Sequence, residues 1–246
     1  MPALIETKHV SVSYGQSEAV SDISLEIHAG DFIGCIGPNG AGKTTLIKAL
    51  LGLVPARDGE IRLFGQPHKR FRNWQKIDYV PQNLRTINPL FPATVEEVIF
   101  LGMLSTQRNP RKFGALDKRI VAQALRDIGM HDLRHAPFTE LSGGQQQKAM
   151  IARALVSKPD IVMLDEPTAA LDPQSRESFL RQLQGLNKKN GLTVILITHD
   201  TNMVCRFASK LMYIDRRLLF FGSVDDFYHA NKLGDYGRHI RYHQHD

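Results

Sequence analysis

The chain has 246 residues, which permits one large α/β domain or a domain with an inserted lobe and leaves little room for two unrelated domains. Hydrophobic residues make up 42% and charged residues 23%, so a sizeable core is available and a wholly disordered chain is excluded. The net charge of +6 is compatible with a phosphate, nucleic-acid or anionic-membrane ligand, although the basic residues are scattered.

The cysteine usage and the hydropathy favour a protein of a reducing cytosol. Cys35 and Cys205 lie far apart and outside any Cys-x-x-Cys pattern, so we expect small core residues rather than a disulfide or a zinc site. The start of the chain lacks the regions of a signal peptide, and no run of about 18 apolar residues occurs. We therefore expect a protein that neither crosses a membrane nor is secreted on its own.

The apolar pattern predicts two kinds of strand. In 20–28, Ile23, Leu25 and Ile27 alternate with polar residues, which is typical of a half-buried antiparallel strand. Continuous apolar runs instead predict strands covered on both faces of a parallel sheet. These runs are 32–36, 161–164 and 194–197.

Helices are predicted between these strands. The stretch 88–158 is expected to be helical throughout, as a lobe inserted into a core of 1–87 and 159–230, with a His-rich tail at 235–246. The predicted helix signals are a helix over 46–51 stopped by Gly52, a capping box from Thr94 to Glu97 that turns Val98, Ile99 and Gly102 inward, an N-cap at Asp117, and an N-cap at Asp172 before Pro173 with an end before Gly191.

A phosphate loop is the strongest motif. The segment 37–45 fits G-x-x-x-x-G-K-[ST] and stands between a predicted buried strand and a predicted helix. Its glycines turn backbone N–H groups toward phosphate, Lys43 reaches the β- and γ-phosphates, and the Thr44 hydroxyl meets Mg²⁺. We predict that ATP is bound by Gly37, Pro38, Asn39, Gly40, Ala41, Gly42, Lys43, Thr44 and Thr45.

Two carboxylates follow the buried run 161–164, at the end of a strand where open α/β sheets hold ligands. Asp165 suits a direct or water-mediated Mg²⁺ contact, and Glu166 is placed to polarise an attacking water. Together with the phosphate loop, this pair predicts ATP hydrolysis.

A second anion site is predicted at Ser142, Gly143, Gly144 and Gln145, where a hydroxyl and unobstructed N–H groups open a helix. One γ-phosphate does not need two such sites on different lobes of one subunit. We therefore predict a two-fold dimer in which each nucleotide lies between the phosphate loop of one chain and the Ser142 loop of the other.

These motifs, in this order and spacing, resemble those of the ATP-binding-cassette (ABC) ATPases of membrane transporters over essentially the whole chain. The resemblance implies a P-loop NTPase fold of the α/β class, with an N-terminal antiparallel β-subdomain and an inserted α-helical subdomain. It also implies that Tyr14 stacks on adenine, Gln82 senses Mg²⁺ and the transmembrane partner, Asp172 reaches across the dimer interface to the nucleotide, and His199 contacts the γ-phosphate. The catalytic residues are then Glu166, His199, Lys43 and Gln82, and the Mg²⁺ ligands are Thr44, Gln82 and Asp165.

The same resemblance implies a peripheral subunit on the cytoplasmic face of the membrane. It works as a homodimer with ATP and Mg²⁺, on transmembrane permease subunits that serve an extracytoplasmic substrate-binding protein, and without nucleic acid. A groove between Gln82 and 88–94, where Leu90 and Phe91 lie, is expected to receive the partner's coupling helix. A soluble ABC ATPase of DNA repair or translation needs added domains that 246 residues do not hold, and a non-hydrolytic regulatory module is expected to lack Glu166 or His199.

The cargo is expected to be zinc or manganese, with iron, an iron chelate or another small solute as the alternative. The resemblance to such importers is carried by 91–95 and 145–147 and by the tail. His239, His243 and His245, with Asp246, either bind Zn²⁺ or form a polar tail that binds nothing. The basic residues Arg108, Arg111, Lys112, Lys118 and Arg119 form either a solvated surface or a contact with lipid headgroups.

Overall fold

The computed structural model describes residues 2–82, 92–104, 114–169 and 171–232. The strands in these ranges are β1 (Ala3–Tyr14), β2 (Ser17–His28), β3 (Phe32–Ile36), β4 (Asp58–Leu63), β5 (Gln66–Pro67), β6 (Ile77–Val80), β7 (Ile161–Asp165), β8 (Thr193–Ile197), β9 (Lys210–Asp215) and β10 (Arg217–Ser223). The helices are α1 (Lys43–Leu50), α2 (Val95–Leu104), α3 (Ala115–Asp127), α4 (Gly143–Val156), α5 (Pro173–Asn190), α6 (Thr201–Cys205) and α7 (Val224–Lys232). No helix of this described part is long and apolar enough to cross a bilayer.

Two sheets organise the core. A four-stranded antiparallel sheet has the order β2-β1-β4-β5, and a six-stranded sheet has the order β10-β9-β3-β8-β7-β6. In the larger sheet β9, β3, β8, β7 and β6 run parallel, and β10 is antiparallel to β9 at the edge. The sequence-predicted antiparallel strand in 20–28 lies within β2, so that prediction is confirmed.

The three continuous apolar runs are confirmed as central parallel strands. Each residue of β3, β7 and β8 is buried, and alternate residues pack on opposite faces. Ile33, Met163 and Ile195 face a core shared with the antiparallel sheet and α1, whereas Phe32, Val162 and Leu196 face the helices on the other side. Cys35 is buried in the first of these cores, as expected of a small core residue.

The helical lobe packs α2, α3 and α4 around a shared apolar core. The capping box that opens α2 is confirmed, because the Glu97 carboxylate accepts from both the N–H and the hydroxyl of Thr94. Gly102 lets α2 approach α4 closely, since a Cβ at this position would lie 2.0 Å from the main-chain oxygen of Arg153. Short 3₁₀ turns at His131–Leu133 and Phe138–Glu140 interrupt the predicted all-helical stretch. The division into core, lobe and tail at the stated boundaries stays a prediction.

Two predicted helix starts are corrected. α1 begins at Lys43 rather than at residue 46, because Gly42 takes up a left-handed φ of 92° and serves as the N-cap. α3 has Gly114 rather than Asp117 as its N-cap; Asp117 lies in the first turn, and its carboxylate accepts from the Gly114 N–H at 2.9 Å. The predicted N-cap Asp172 and the end of α5 at Gly191, with φ 69°, are both confirmed.

Candidate functional site

The phosphate loop lies at the carboxyl end of β3. Residues 37–42 form the loop, and Lys43, Thr44 and Thr45 begin α1. Gly37 has a φ of 146°, and a Cβ there would lie 2.0 Å from the main-chain oxygen of Ile214, so a side chain does not fit. The amino end of α1, with its free N–H groups and partial positive charge, therefore lies at the carboxyl ends of the parallel strands, where α/β proteins bind ligands.

Lys43 is buried and folds back over its own loop. Its Nζ donates hydrogen bonds to the main-chain oxygens of Gly37 at 2.7 Å and Pro38 at 2.8 Å. Both partners are neutral carbonyls, and among the described residues Lys43 forms no ion pair that would neutralise its charge. The ammonium is thus available to a stronger anionic partner such as phosphate.

A hydrogen-bonded group joins α1 to the end of β7. The Thr44 hydroxyl donates to Asp165 Oδ2 at 2.8 Å, and the Tyr79 hydroxyl donates to the same oxygen at 3.4 Å. Burial raises the pKa of Asp165 above its usual range, and the Thr44 hydrogen bond opposes that shift. Burial, followed by the Asp165 charge, raises the pKa of Tyr79, so its hydroxyl stays a donor. Nothing in the sequence around Tyr79, which lies in β6, predicted this contact.

Three predicted catalytic residues meet at Glu166. Glu166 Oε2 lies 3.3 Å from Nδ1 of His199 and accepts from Nε2 of Gln82 at 3.4 Å. The backbone of Glu166 is left-handed, with a φ of 48°, and its N–H donates to the Ile197 carbonyl at the end of β8. This conformation is unfavourable for a residue with a side chain. It occurs directly after the last residue of β7, where the chain leaves the strand at the carboxyl end of the parallel sheet.

The Ser142 loop and the Asp172 loop meet in one pocket of about 410 Å³. Ser142 is the N-cap of α4 and forms a reciprocal capping box with Gln145. Asp172 is the N-cap of α5, where its carboxylate accepts from the Ser175 N–H at 2.9 Å. Hydrogen bonding with the Ser175 side chain, followed by that with the Ser175 N–H, lowers the pKa of Asp172. The pocket is lined by Ser142, Gly143, Gly144, Gln145, Lys148, Leu171, Asp172 and Ser175, and by no described residue of the phosphate loop.

The structure does not test the remaining sequence predictions. Tyr14 ends β1 with 51% of its surface exposed, and its contact with adenine stays a prediction. The groove residues Leu90 and Phe91, the basic residues Arg108, Arg111 and Lys112, and the tail histidines His239, His243 and His245 lie outside the described residues. Their expected roles therefore stay predictions. No group of three or more metal-ligating side chains occurs in the part of the chain that was described.

Known proteins share this architecture. Residues 20–169 match the family model described as ABC transporter. The chain is 38% identical over 229 residues to a zinc uptake system ATP-binding protein, ZurA, of Listeria innocua, covering 93% of this chain and 89% of that protein. It is 35% identical over 232 residues to a manganese transport system ATP-binding protein, MntB, of Bacillus subtilis, covering 93% and 90% respectively.

The solved dimeric structure of a bacterial ABC transporter cassette, MJ0796, superposes with a TM-score of 0.80 at 28% identity, over 89% of this chain and 98% of that one. The same cassette has been solved as a dimer in a post-hydrolysis state with ADP and Pi. The matched model spans most of the chain and contains both its phosphate loop and its Asp165–Glu166 pair. The chain therefore belongs to the ABC transporter family, as a nucleotide-binding, ATP-hydrolysing cassette.

Proposed function

We propose that this chain is the ATPase subunit of a transporter that imports a divalent metal ion, zinc or manganese. Two copies form the nucleotide sandwich on the cytoplasmic face of the membrane and dock on separate permease subunits, which receive cargo from an extracytoplasmic binding protein. The observation that carries the catalytic part is the meeting of Gln82, Glu166 and His199 beside the Thr44–Asp165 pair.

The groups around Asp165 fit a magnesium ion. The Thr44 hydroxyl and the Asp165 carboxylate, which are joined by a 2.8 Å hydrogen bond, are hard oxygen ligands, and the Gln82 amide oxygen would supply a third. We assign the ion to these three residues. When bound, Mg²⁺ neutralises charge on the β- and γ-phosphate oxygens.

The chain's own residues bind and orient the nucleotide. Lys43 exchanges its carbonyl partners for oxygens of the β- and γ-phosphates, and the N–H groups of 37–45 bind the remaining phosphate oxygens. Tyr14 stacks on adenine. Glu166 accepts a hydrogen bond from the attacking water, and His199 and Gln82 hold its carboxylate. His199 also contacts the γ-phosphate.

The pocket between α4 and α5 supports completion of each site by a second chain. Its lining combines the two elements predicted to act in trans, the Ser142 loop and Asp172, in one concave surface. The Ser142 hydroxyl, the amino end of α4 with its partial positive charge and the Lys148 ammonium are groups that can bind a γ-phosphate, and they share the pocket with the Asp172 carboxylate. We propose that it covers the nucleotide held by the phosphate loop of the partner.

The cargo assignment rests on the relatives. Proteins named for zinc and for manganese transport are 38% and 35% identical to this chain over nearly its full length. In such a transporter the nucleotide site of the cassette supplies ATP hydrolysis, and the cargo is selected by other subunits. A ferric chelate or another small solute is the alternative cargo.

Reconstitution with the permease tests the proposal. The chain is co-expressed with the multi-span proteins encoded beside its gene, purified and placed in vesicles, and ATP-driven uptake of zinc, manganese and a ferric chelate is compared. We expect zinc or manganese uptake that the Glu166→Gln variant abolishes. Uptake of the chelate alone overturns the cargo, and ATP hydrolysis by a chain that never co-purifies with a membrane protein overturns the transporter role.

A further inference from the structure

One guanidinium joins two loops of the site that are distant in sequence. Arg176, near the start of α5, places Nη1 at 3.2 Å from Oδ2 of Asp200, and its Nη2 donates to the main-chain oxygen of Leu171 at 3.4 Å. Leu171 directly precedes Asp172, and Asp200 directly follows His199. The Arg176 guanidinium therefore links two loops. One carries Asp172, which is predicted to contact the partner's nucleotide, and the other carries His199, which is predicted to contact the nucleotide of its own chain.

The His199 side of this bridge is firmly anchored. Asp200 caps α6, because its Oδ1 accepts from the Met203 N–H at 3.0 Å, and its own N–H donates to the Thr198 hydroxyl at 3.1 Å. The Thr198 N–H in turn donates to the Cys35 carbonyl in β3. Because Asp200 directly follows His199, a shift of the His199 backbone is passed to Asp200 and to the carboxylate that Arg176 contacts.

The Asp172 side is anchored to the same helix as Arg176. The carboxylate of Asp172 accepts from the Ser175 N–H, and the Arg176 N–H donates to the Asp172 carbonyl at 2.9 Å. Leu171, whose carbonyl accepts from Arg176 Nη2, is buried. A displacement of the Arg176 side chain is thus delivered to the backbone that carries Asp172.

The Arg176 side chain is better suited to connecting the two loops than to forming a solvent-exposed ion pair. Arg176 and Asp200 expose 23% and 28% of their side chains, less than the exposed pairs of the same helix such as Arg181 with Glu177. The planar guanidinium binds two acceptors on two loops in a fixed relative geometry, which a lysine ammonium does not impose.

We propose that Arg176 is a positioning residue that couples the two nucleotide sites of the dimer. Contact of His199 with the chain's own nucleotide is passed through Asp200 and Arg176 to Asp172, which acts on the nucleotide of the partner. This inference rests on the proposed sandwich dimer, because only there does Asp172 reach a second nucleotide. The coupling runs through contiguous contacts between two elements that each bind a different nucleotide.

Subunit mixing tests this inference. Unaltered chain and the His199→Ala variant are mixed in equal amounts, exchanged through the nucleotide-free state, and assayed for ATPase activity relative to the unmixed parent. In a mixed dimer the unaltered chain keeps its own His199, and its nucleotide meets the Asp172 of the altered chain. Independent sites leave about one half of the parent activity, whereas fully coupled sites leave about one quarter, because only dimers of two unaltered chains then turn over.

The expected result is a retained activity near one quarter, which rises toward one half when both chains also carry Arg176→Met. Asp200→Asn is the second variant, since an asparagine oxygen still accepts the Met203 N–H but lacks the charge that holds Arg176. It should shift the retained fraction in the same direction. Because each mixture is compared with its own unmixed parent, a loss of overall activity through misfolding does not imitate this shift.

Arg181→Met is the matched control, because it removes an arginine and its ion pair from the exposed face of the same helix. It should leave the retained fraction near one quarter. The inference is overturned if the unaltered mixture retains one half, or if Arg176→Met and Asp200→Asn leave the fraction unchanged. An unaltered chain that neither dimerises with ATP nor hydrolyses it would instead be a failure of the proposed function.

Discussion

Thr44 and Asp165, which are 121 residues apart in the chain, are joined by a 2.8 Å hydrogen bond from hydroxyl to carboxylate. Thr44 lies in α1, which follows β3, and Asp165 ends β7. The strands β3 and β7 are not neighbours in the sheet, since β8 lies between them. The Thr44–Asp165 hydrogen bond therefore spans the carboxyl end of β8. At that end the Ile197 carbonyl accepts a hydrogen bond from the Glu166 N–H. The phosphate loop, the proposed Mg²⁺ ligand Asp165 and the proposed catalytic carboxylate of Glu166 are thus held in fixed positions relative to one another.

Lys43→Ala should weaken ATP binding by roughly tenfold to a hundredfold, because charge-assisted hydrogen bonds of about 1.5–3 kcal/mol are lost. The ammonium has only neutral carbonyl partners in this structure, so its removal leaves no buried charge without a partner. Equilibrium binding of a fluorescent ATP analogue measures the effect. Lys188→Ala, an exposed lysine in the last turn of α5, is the control and should bind normally. Unchanged affinity in Lys43→Ala would contradict the role of the loop.

Glu166→Gln should retain ATP binding, lose at least about a hundredfold in turnover, and accumulate as a dimer with ATP. Glutamine fills the same space and keeps an oxygen for Gln82 and His199, but it is a far weaker acceptor for the attacking water. Gel filtration with and without ATP reports the dimer. The exposed Glu60→Gln on β4 should behave as the unaltered chain. A Glu166→Gln chain that stays monomeric at high concentration with ATP argues against the sandwich.

The sequence predicted those parts of the fold that depend on local pattern. Runs such as 194–197 are continuously apolar because both faces of β8 are buried, and Asp172 before Pro173 is a local cap signal. The start of α1 was placed too late because a glycine in a phosphate-loop motif does not reveal that Gly42 already serves as the N-cap.

Some contacts of the site could not be predicted from the sequence, for a different physical reason. The partners Arg176 and Asp200 are separated by 24 residues, and Tyr79 and Asp165 by 86 residues, so their contacts arise only when strands and helices assemble. In the sequence, an arginine on a helix or a tyrosine on a strand looks the same whether it faces solvent or contacts a site residue. Only the fold distinguishes them.

His199→Ala should leave ATP affinity within about threefold of the parent and lower hydrolysis by at least about tenfold. The change removes the contact to Glu166 and the proposed contact to the γ-phosphate, but it leaves the phosphate loop intact. Steady-state ATPase assays with the permease present, beside equilibrium binding, separate the two effects. His229→Ala, an exposed histidine on α7, is the matched control. Normal turnover in His199→Ala removes this residue from the site.

Deleting residues 239–246 should abolish any zinc dependence of ATPase activity without lowering activity in the absence of zinc. His239, His243 and His245 offer three imidazole ligands for Zn²⁺. A site of only three such ligands has a low affinity, so it binds Zn²⁺ only when the concentration of free zinc rises. ATPase activity and transport are measured across a zinc titration. The full-length chain with these three histidines changed to serine should match the shortened chain, and identical curves for all three proteins contradict a metal-sensing tail.

Asp78→Asn should stabilise the folded chain at high pH. Asp78 lies in β6, and burial raises its pKa to about 6, against the opposing hydrogen bond from the Tyr79 N–H and the charge of Arg153. The unfolded chain has an ordinary aspartate pKa near 4, so the folded state binds the extra proton between about pH 4 and pH 6. Stability contributed by this group is therefore complete below about pH 4 and is lost as the pH rises through 6.

At pH 8 the buried carboxylate is charged, and replacing it with a neutral amide should raise the free energy of unfolding by about 2 kcal/mol. The asparagine side chain retains an oxygen to accept the Tyr79 N–H, so the backbone contact is preserved. Urea unfolding at pH 8, 6 and 5 should show a gain that shrinks steadily as the pH falls. Asp127→Asn, at an exposed position in α3, is the control and should give a small difference that does not follow this pH course. A gain for Asp78→Asn that is equal at pH 5 and pH 8 would show that packing, rather than the charge on Asp78, is responsible.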